Sequence, residues 1–218
     1  MRRHVLLLSL VLALCTAGPG PFRAGPAPAR EVAPAAEWPW SAMGRLNQAG
    51  YRNRIHCTAV LVSPTRALTA AHCVDTALAG SFHLVLGYFG GGFAEHRTVE
   101  AARQVPGHED LAEISWSEPV RARPIPLAQH CQSVGAAVLA GYNHTAPHAL
   151  TLRRGCGMTG RRGTRVSHSC PSGPGDSGGA LLVADPVTGW RLAGIHSASS
   201  RSTRLGAAEA VSAGGRCD

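Results

Sequence analysis

The sequence predicts a mostly β fold, a barrel or a sandwich. Three observations carry that reading: apolar runs are strand-sized, turn residues separate them, and no long amphipathic helix lies between them. The composition agrees. Of 218 residues 44% are hydrophobic and 16% charged, with 26 glycines and 15 prolines, a balance that excludes a disordered chain and favours short strands joined by tight turns. This length supports one domain or two small ones. No internal repeat recurs at a fixed period.

In chain order, residues 1–17 have the pattern of an export signal. Arg2 and Arg3 precede an apolar run over 5–14, and Cys15-Thr16-Ala17 offers small residues for cleavage. The run is too short to span a bilayer, and no later segment approaches spanning length. The mature form is therefore expected to be secreted, extracellular or periplasmic, with no membrane contact. Residues 18–37 are rich in Pro, Ala and Gly and have the composition of a propeptide or linker. Strand-like runs follow at 58–62, 67–71, 82–88, 136–140, 180–183 and 191–195. Ser63-Pro64, Gly90-Gly91-Gly92, Gly173-Pro174-Gly175 and Asp185-Pro186 punctuate them.

Charge and cysteine content narrow the chemistry. The formal charge is +8, and all 21 basic residues are arginines, so a serine–lysine hydrolase mechanism is excluded. Four of these arginines precede Glu31, leaving a net +4 from Glu31 onward. The rest are scattered, with no aromatic platform, so nucleic acid is not an expected partner. Setting aside Cys15, six cysteines remain: Cys57, Cys73, Cys131, Cys156, Cys170 and Cys217. An even number in an exported chain points to three disulfides, with fifteen pairings open to the sequence. No Cys-x-x-Cys or His-Glu-x-x-His pattern is present, and no metal or other cofactor is expected.

Three segments together carry a reaction. They are Leu68-Thr69-Ala70-Ala71-His72-Cys73, Asp110-Leu111-Ala112-Glu113-Ile114, and Gly175-Asp176-Ser177-Gly178-Gly179. A serine hydroxyl needs a base to take its proton as it attacks, and histidine suits that task near neutral pH. A carboxylate on the other ring nitrogen fixes the tautomer and stabilises the imidazolium; Glu109 and Asp110 are neighbouring candidates. Backbone amides in a glycine-rich turn can meet the oxyanion, which makes Gly175 and Ser177 the natural donors.

Thr-Ala-Ala-His-Cys followed by Gly-Asp-Ser-Gly-Gly resembles the chymotrypsin/trypsin superfamily of serine endopeptidases over residues 38–212. Residues 39–46 and the cysteine seven positions before Ser177 are more similar to its bacterial, glutamyl-endopeptidase-like branch. The resemblance implies an all-β fold of two packed antiparallel β-barrels with the active site in the cleft between them. Residues 38–124 would form the barrel carrying His72 and Asp110, and residues 125–218 the barrel carrying Ser177. It selects Asp110 over Glu109, while Glu113 departs from the apolar residue usual there. It also implies the bridges Cys57–Cys73, Cys156–Cys170 and Cys131–Cys217.

In many members the counterpart of Asp176 binds the ammonium of a newly cut N-terminus, so zymogen processing near Arg30 is expected. Pro171 stands where a trypsin-type pocket carries its carboxylate. His196 stands where the glutamate-cleaving branch holds the substrate carboxylate, with Ser199 and Ser172 as further pocket donors. The implied activity is therefore that of a monomeric secreted endopeptidase acting on proteins or peptides, with acidic P1 residues preferred. The competing reading is a catalytically silent homologue serving as a secreted binding module. An esterase of the Gly-x-Ser-x-Gly type is disfavoured because the histidine here precedes the serine. Asn143-His144-Thr145 fits a glycosylation acceptor by pattern.

Overall fold

Short runs of alternating or continuous burial become strands throughout the computed structural model, which describes residues 30–50, 56–131, 134–200 and 205–213. The first eight are β1 (Arg30–Val32), β2 (Met43–Gln48), β3 (His56–Ser63), β4 (Arg66–Thr69), β5 (Phe82–Leu86), β6 (Glu95–Thr98), β7 (Ala101–Gln104) and β8 (Ala112–Ser115). After a connector come β9 (Val134–Gly141), β10 (Thr151–Arg162), β11 (Arg165–His168), β12 (Ala180–Asp185), β13 (Gly189–Ser199) and β14 (Gly206–Ala210). Among the described residues the helical content is confined to short 3₁₀ turns.

These strands make two antiparallel sheets. The first runs β6-β5-β2-β3-β4-β8-β7 and curls into a half-barrel. In the second, β9 pairs with both β10 and β12, so the order β9-β10-β11-β14-β13-β12 closes into a six-stranded barrel. This is the all-β, two-barrel architecture expected above, with full closure in the second barrel alone. Alternation is clear in β5, where Phe82, Leu84 and Leu86 are buried while His83 and Val85 are half-open. Strand β3 is different, with six successive buried residues from His56 to Leu61. It lies between the core of its own barrel and the second barrel. One apolar cluster accordingly runs from Leu46, Val60 and Leu84 across to Leu152, Leu182 and Ile195, while Leu139, Met158, Val166 and Ala208 fill the second barrel.

The end of the Pro/Ala-rich stretch belongs to this architecture. Strand β1 pairs with β10 in the register Arg30↔Arg153, Glu31↔Leu152 and Val32↔Thr151. Ala33 and Ala35 are buried beyond it. The signal assigned to residues 1–17 lies outside the described residues, as does Cys217. Cys57 is bonded to Cys73 and Cys156 to Cys170. Cys131 is also disulfide-bonded, and its implied pairing with Cys217 falls outside the described residues.

Candidate active site

Strand β4 ends at Thr69, and the chain turns through the 3₁₀ segment Ala71–Cys73, which presents His72. Two constraints hold that turn. The Cys57–Cys73 disulfide ties it to β3, and Ala71 N donates to Asp110 O at 3.1 Å. The Asp110 carboxylate then meets His72 at both its ring Nδ1 and its backbone amide. Oδ2 lies 2.8 Å from His72 Nδ1, and Oδ1 accepts the His72 backbone amide at 3.0 Å. The neighbouring carboxylate turns away: Glu109 is 76% exposed at its side chain and pairs with Arg165 at 2.8 Å. Glu113, out of pattern in the sequence, sits beside Arg103 at 2.8 Å and Arg66 at 3.6 Å.

The nucleophile loop depends on two glycines. Gly178 has φ +79°, and a Cβ there would overlap Thr58 O. Gly175 has φ +88°, and a Cβ there would overlap Tyr142 O and stand 2.9 Å from His56 Nε2. No L side chain fits either place without moving backbone. Thr58 of β3 anchors the loop to the first barrel: its amide donates to Ser177 O at 2.8 Å and its hydroxyl to Gly175 O at 3.1 Å. Among the described residues no acceptor takes the amides of Gly175 or Ser177.

Between those two amides, Asp176 is fully buried. Its Oδ2 accepts from Asn143 Nδ2 at 2.7 Å, Arg153 NH2 at 3.0 Å and Gly173 N at 3.0 Å. Burial pushes this carboxyl up and the Arg153 guanidinium down in pKa, and each charge opposes the shift of the other. Sequence reading did not single out Arg153, because the neighbouring arginines 154, 161 and 162 look the same in the sequence. The Asn143 pattern is corrected here: its side chain is buried against Asp176, which closes it to a glycan.

His196 is 1% exposed, on β13. Its backbone is bonded to the nucleophile loop by Gly178 N→His196 O at 2.7 Å and His196 N→Gly179 O at 2.8 Å. Its ring meets a second buried histidine: His168 Nε2 lies 2.9 Å from His196 Nδ1. Burial pushes His196 down to about 3, helped by the charges of His168, Arg153 and His72, and pushes His168 down to about 4. Both rings are therefore neutral near pH 7. With His168 Nε2–H as donor, His196 keeps its own proton on Nε2, which lies 3.4 Å from Ser199 Oγ. Ser199 and Ser172 are hydrogen-bonded at 2.6 Å, and exposed Pro171 takes no part in these bonds. His168 was not foreseen from sequence; the β11–β14–β13 ladder brings it to His196 across 28 residues.

His72, Gly175 and Ser177 border one cavity of about 460 Å³, with Leu46, Phe82 and the Cys57–Cys73 bridge along its wall. Among the described residues Ser177 Oγ makes no hydrogen bond to His72; in ligand-free sites of this kind that contact commonly tightens only with substrate. The grouping nearest to a metal site among the described residues is Cys57, His72 and Cys73, and both sulfurs are taken up in the disulfide.

Comparison with known proteins bears on the fold. The structure is similar to that of a Glu endopeptidase in complex with MPD, at TM-score 0.70 and 18% identity, over 87% of this chain and 94% of that one. It is also similar to the Vibrio cholerae VesB protease, at TM-score 0.69 and 19% identity, over 85% of this chain and 64% of that longer one. At such identities the likeness establishes the fold. The Trypsin family model matches residues 29–213, a span that takes in all of the described residues, and the chain belongs to the Trypsin family.

Proposed function

We infer that this chain is a secreted serine endopeptidase in which Ser177 attacks the peptide carbonyl, His72 takes its proton and Asp110 orients that base. The observation that carries the reading is the 2.8 Å contact from His72 Nδ1 to Asp110 Oδ2, beside a cavity shared with Ser177. Asp110 occupies Nδ1, so Nε2 is the nitrogen left to exchange a proton with the serine. The carbonyl oxygen becomes an anion as the tetrahedral intermediate forms, and the amides of Gly175 and Ser177, which have no acceptor among the described residues, are suited to stabilise it. His72 then protonates the leaving amine, an acyl ester remains on Ser177, and water activated by the same base releases the acid. No cofactor is needed.

The P1 preference assigned is for Glu or Asp. His196 would donate from Nε2 to the substrate carboxylate, with Ser199 and Ser172 beside it and His168 fixing the tautomer. Maturation near Arg30 fits the same reading, because Arg30, Glu31 and Val32 are exposed along an edge strand. Since Asp176 already has Arg153 as its counter-ion, processing would act by releasing upstream residues.

A fluorophosphonate probe should label the wild type and spare Ser177→Ala. A chromogenic peptide panel should show faster cleavage after Glu or Asp than after Arg. Labelling that ignores Ser177 would defeat the mechanism, and preference for Arg would defeat the pocket assignment.

A further inference from the structure

Of the three segments that carry the candidate triad, the Ser177 loop and the Asp110 loop are each fastened to the opposite barrel. Thr58 of the first barrel holds the nucleophile loop of the second through Ser177 O and Gly175 O. In the other direction, the loop over residues 105–111 reaches the second barrel through a buried side-chain pair. His108 Nδ1 lies 3.1 Å from Glu209 Oε2, with the side chains 10% and 0% exposed.

The sequence of β14 explains this arrangement. Its alternation sends Ala208 and Ala210 into the core of the second barrel and Glu209 to the opposite face, toward the first barrel. A carboxylate without water is costly unless paired. Burial alone would raise the Glu209 pKa, but the His108 bond, the Thr164 hydroxyl and the charges of His108 and Arg165 reverse that and leave it lowered. The loop reached by Glu209 is internally stiff. Val105 N donates to Leu111 O at 2.8 Å, His108 N to Val105 O at 3.2 Å, and Gln104 Nε2 to His108 O and Glu109 O at 3.1 and 3.0 Å. Fixing His108 therefore fixes Asp110, two residues on. The other link to this strand pair, Glu109 to Arg165, is exposed and screened by solvent.

We propose that Glu209, acting through His108, is a positioning residue that docks the Asp110 loop onto the second barrel and keeps His72 in register with Ser177. This rests on the endopeptidase reading above. Its test uses Glu209→Gln, His108→Leu, the double variant and His108→Asn in the secreted protein, assayed well below each unfolding midpoint. Each of the first two should lower kcat about tenfold with KM changed by less than about twofold, since misplacement of a base is felt in the chemical step. The double variant should be no worse than the poorer single, as expected of residues acting through one contact. His108→Asn, whose amide can donate from near the Nδ1 position, should recover most of the activity lost in His108→Leu.

Unchanged kcat in the folded singles, losses that multiply in the double variant, or an Asn variant as poor as Leu would each overturn the proposal. Fluorophosphonate labelling separates this from failure of the underlying reading. An unlabelled wild type removes the endopeptidase assignment and the proposal with it; a labelled wild type with unaffected variants removes only the positioning role.

Discussion

Arg153 of β10 donates to Asp176 Oδ2 at 3.0 Å, with the two side chains 1% and 0% exposed. Asp176 lies between the two amides proposed to hold the oxyanion, so the ion pair fixes the backbone on which those donors depend. Arg153→Met leaves the carboxylate buried without a counter-ion, which should cost about 3–5 kcal/mol. Urea denaturation should show that loss, and kcat should fall with it. Adding Asp176→Asn removes the bare charge and should return part of the stability. A single variant as stable as wild type would show that the pair does not organise the loop.

The two adjacent carboxylates make a clean control. Asp110→Asn should lower kcat about 10⁴-fold, because an amide no longer holds the imidazole in the required tautomer. Glu109→Gln removes only an exposed pair with Arg165 and should change kcat by less than about twofold. Steady-state kinetics on one peptide substrate distinguishes these outcomes. Equal losses in both variants would contradict the assignment of Asp110.

Where the chain carries apolar runs, the fold was legible in advance. Residues 58–62, 82–88, 136–140 and 180–183 all fall wholly or largely within strands. The unforeseen strands are those whose burial is not written in hydrophobicity. Strand β6 is Glu-His-Arg-Thr and β7 is Ala-Ala-Arg-Gln, on the more open edges of the first sheet. Strand β10 carries four arginines over Thr151–Arg162 and becomes a strand because β9, β11 and β1 pair with it. The candidates His72, Asp110 and Ser177 could be named from sequence because the proposed chemistry fixes their residue types and flanking residues. Arg153, His168 and Glu209 were not. Each gains its role from a partner 23 to 101 residues away, reached only through strand pairing or packing of one barrel on the other.

Gly178 should tolerate no side chain. Its φ of +79° and the overlap of a Cβ with Thr58 O act together. Gly178→Ala should therefore destabilise the protein by more than about 2 kcal/mol, read as a lower unfolding midpoint. A folded Ala variant of wild-type stability would contradict the loop geometry.

The buried histidine pair makes stability depend on pH in a definite direction. His168 and His196 stand at about 4 and about 3 in the folded protein, against about 6.5 in an unfolded chain. Below pH 6.5 the unfolded state takes up protons that the folded state refuses, so acidification favours unfolding. The stabilisation is fully present above pH 6.5 and is lost progressively as pH falls toward 4 and 3. Between pH 7 and pH 4 the melting temperature should drop by roughly 10–20 °C. His168→Gln removes one of the two titrations while its amide can still donate, so the drop should shrink. Differential scanning calorimetry across that range gives both curves. Parallel curves for wild type and variant would mean that His168 takes up its proton as readily folded as unfolded, against the burial that is held to push it down.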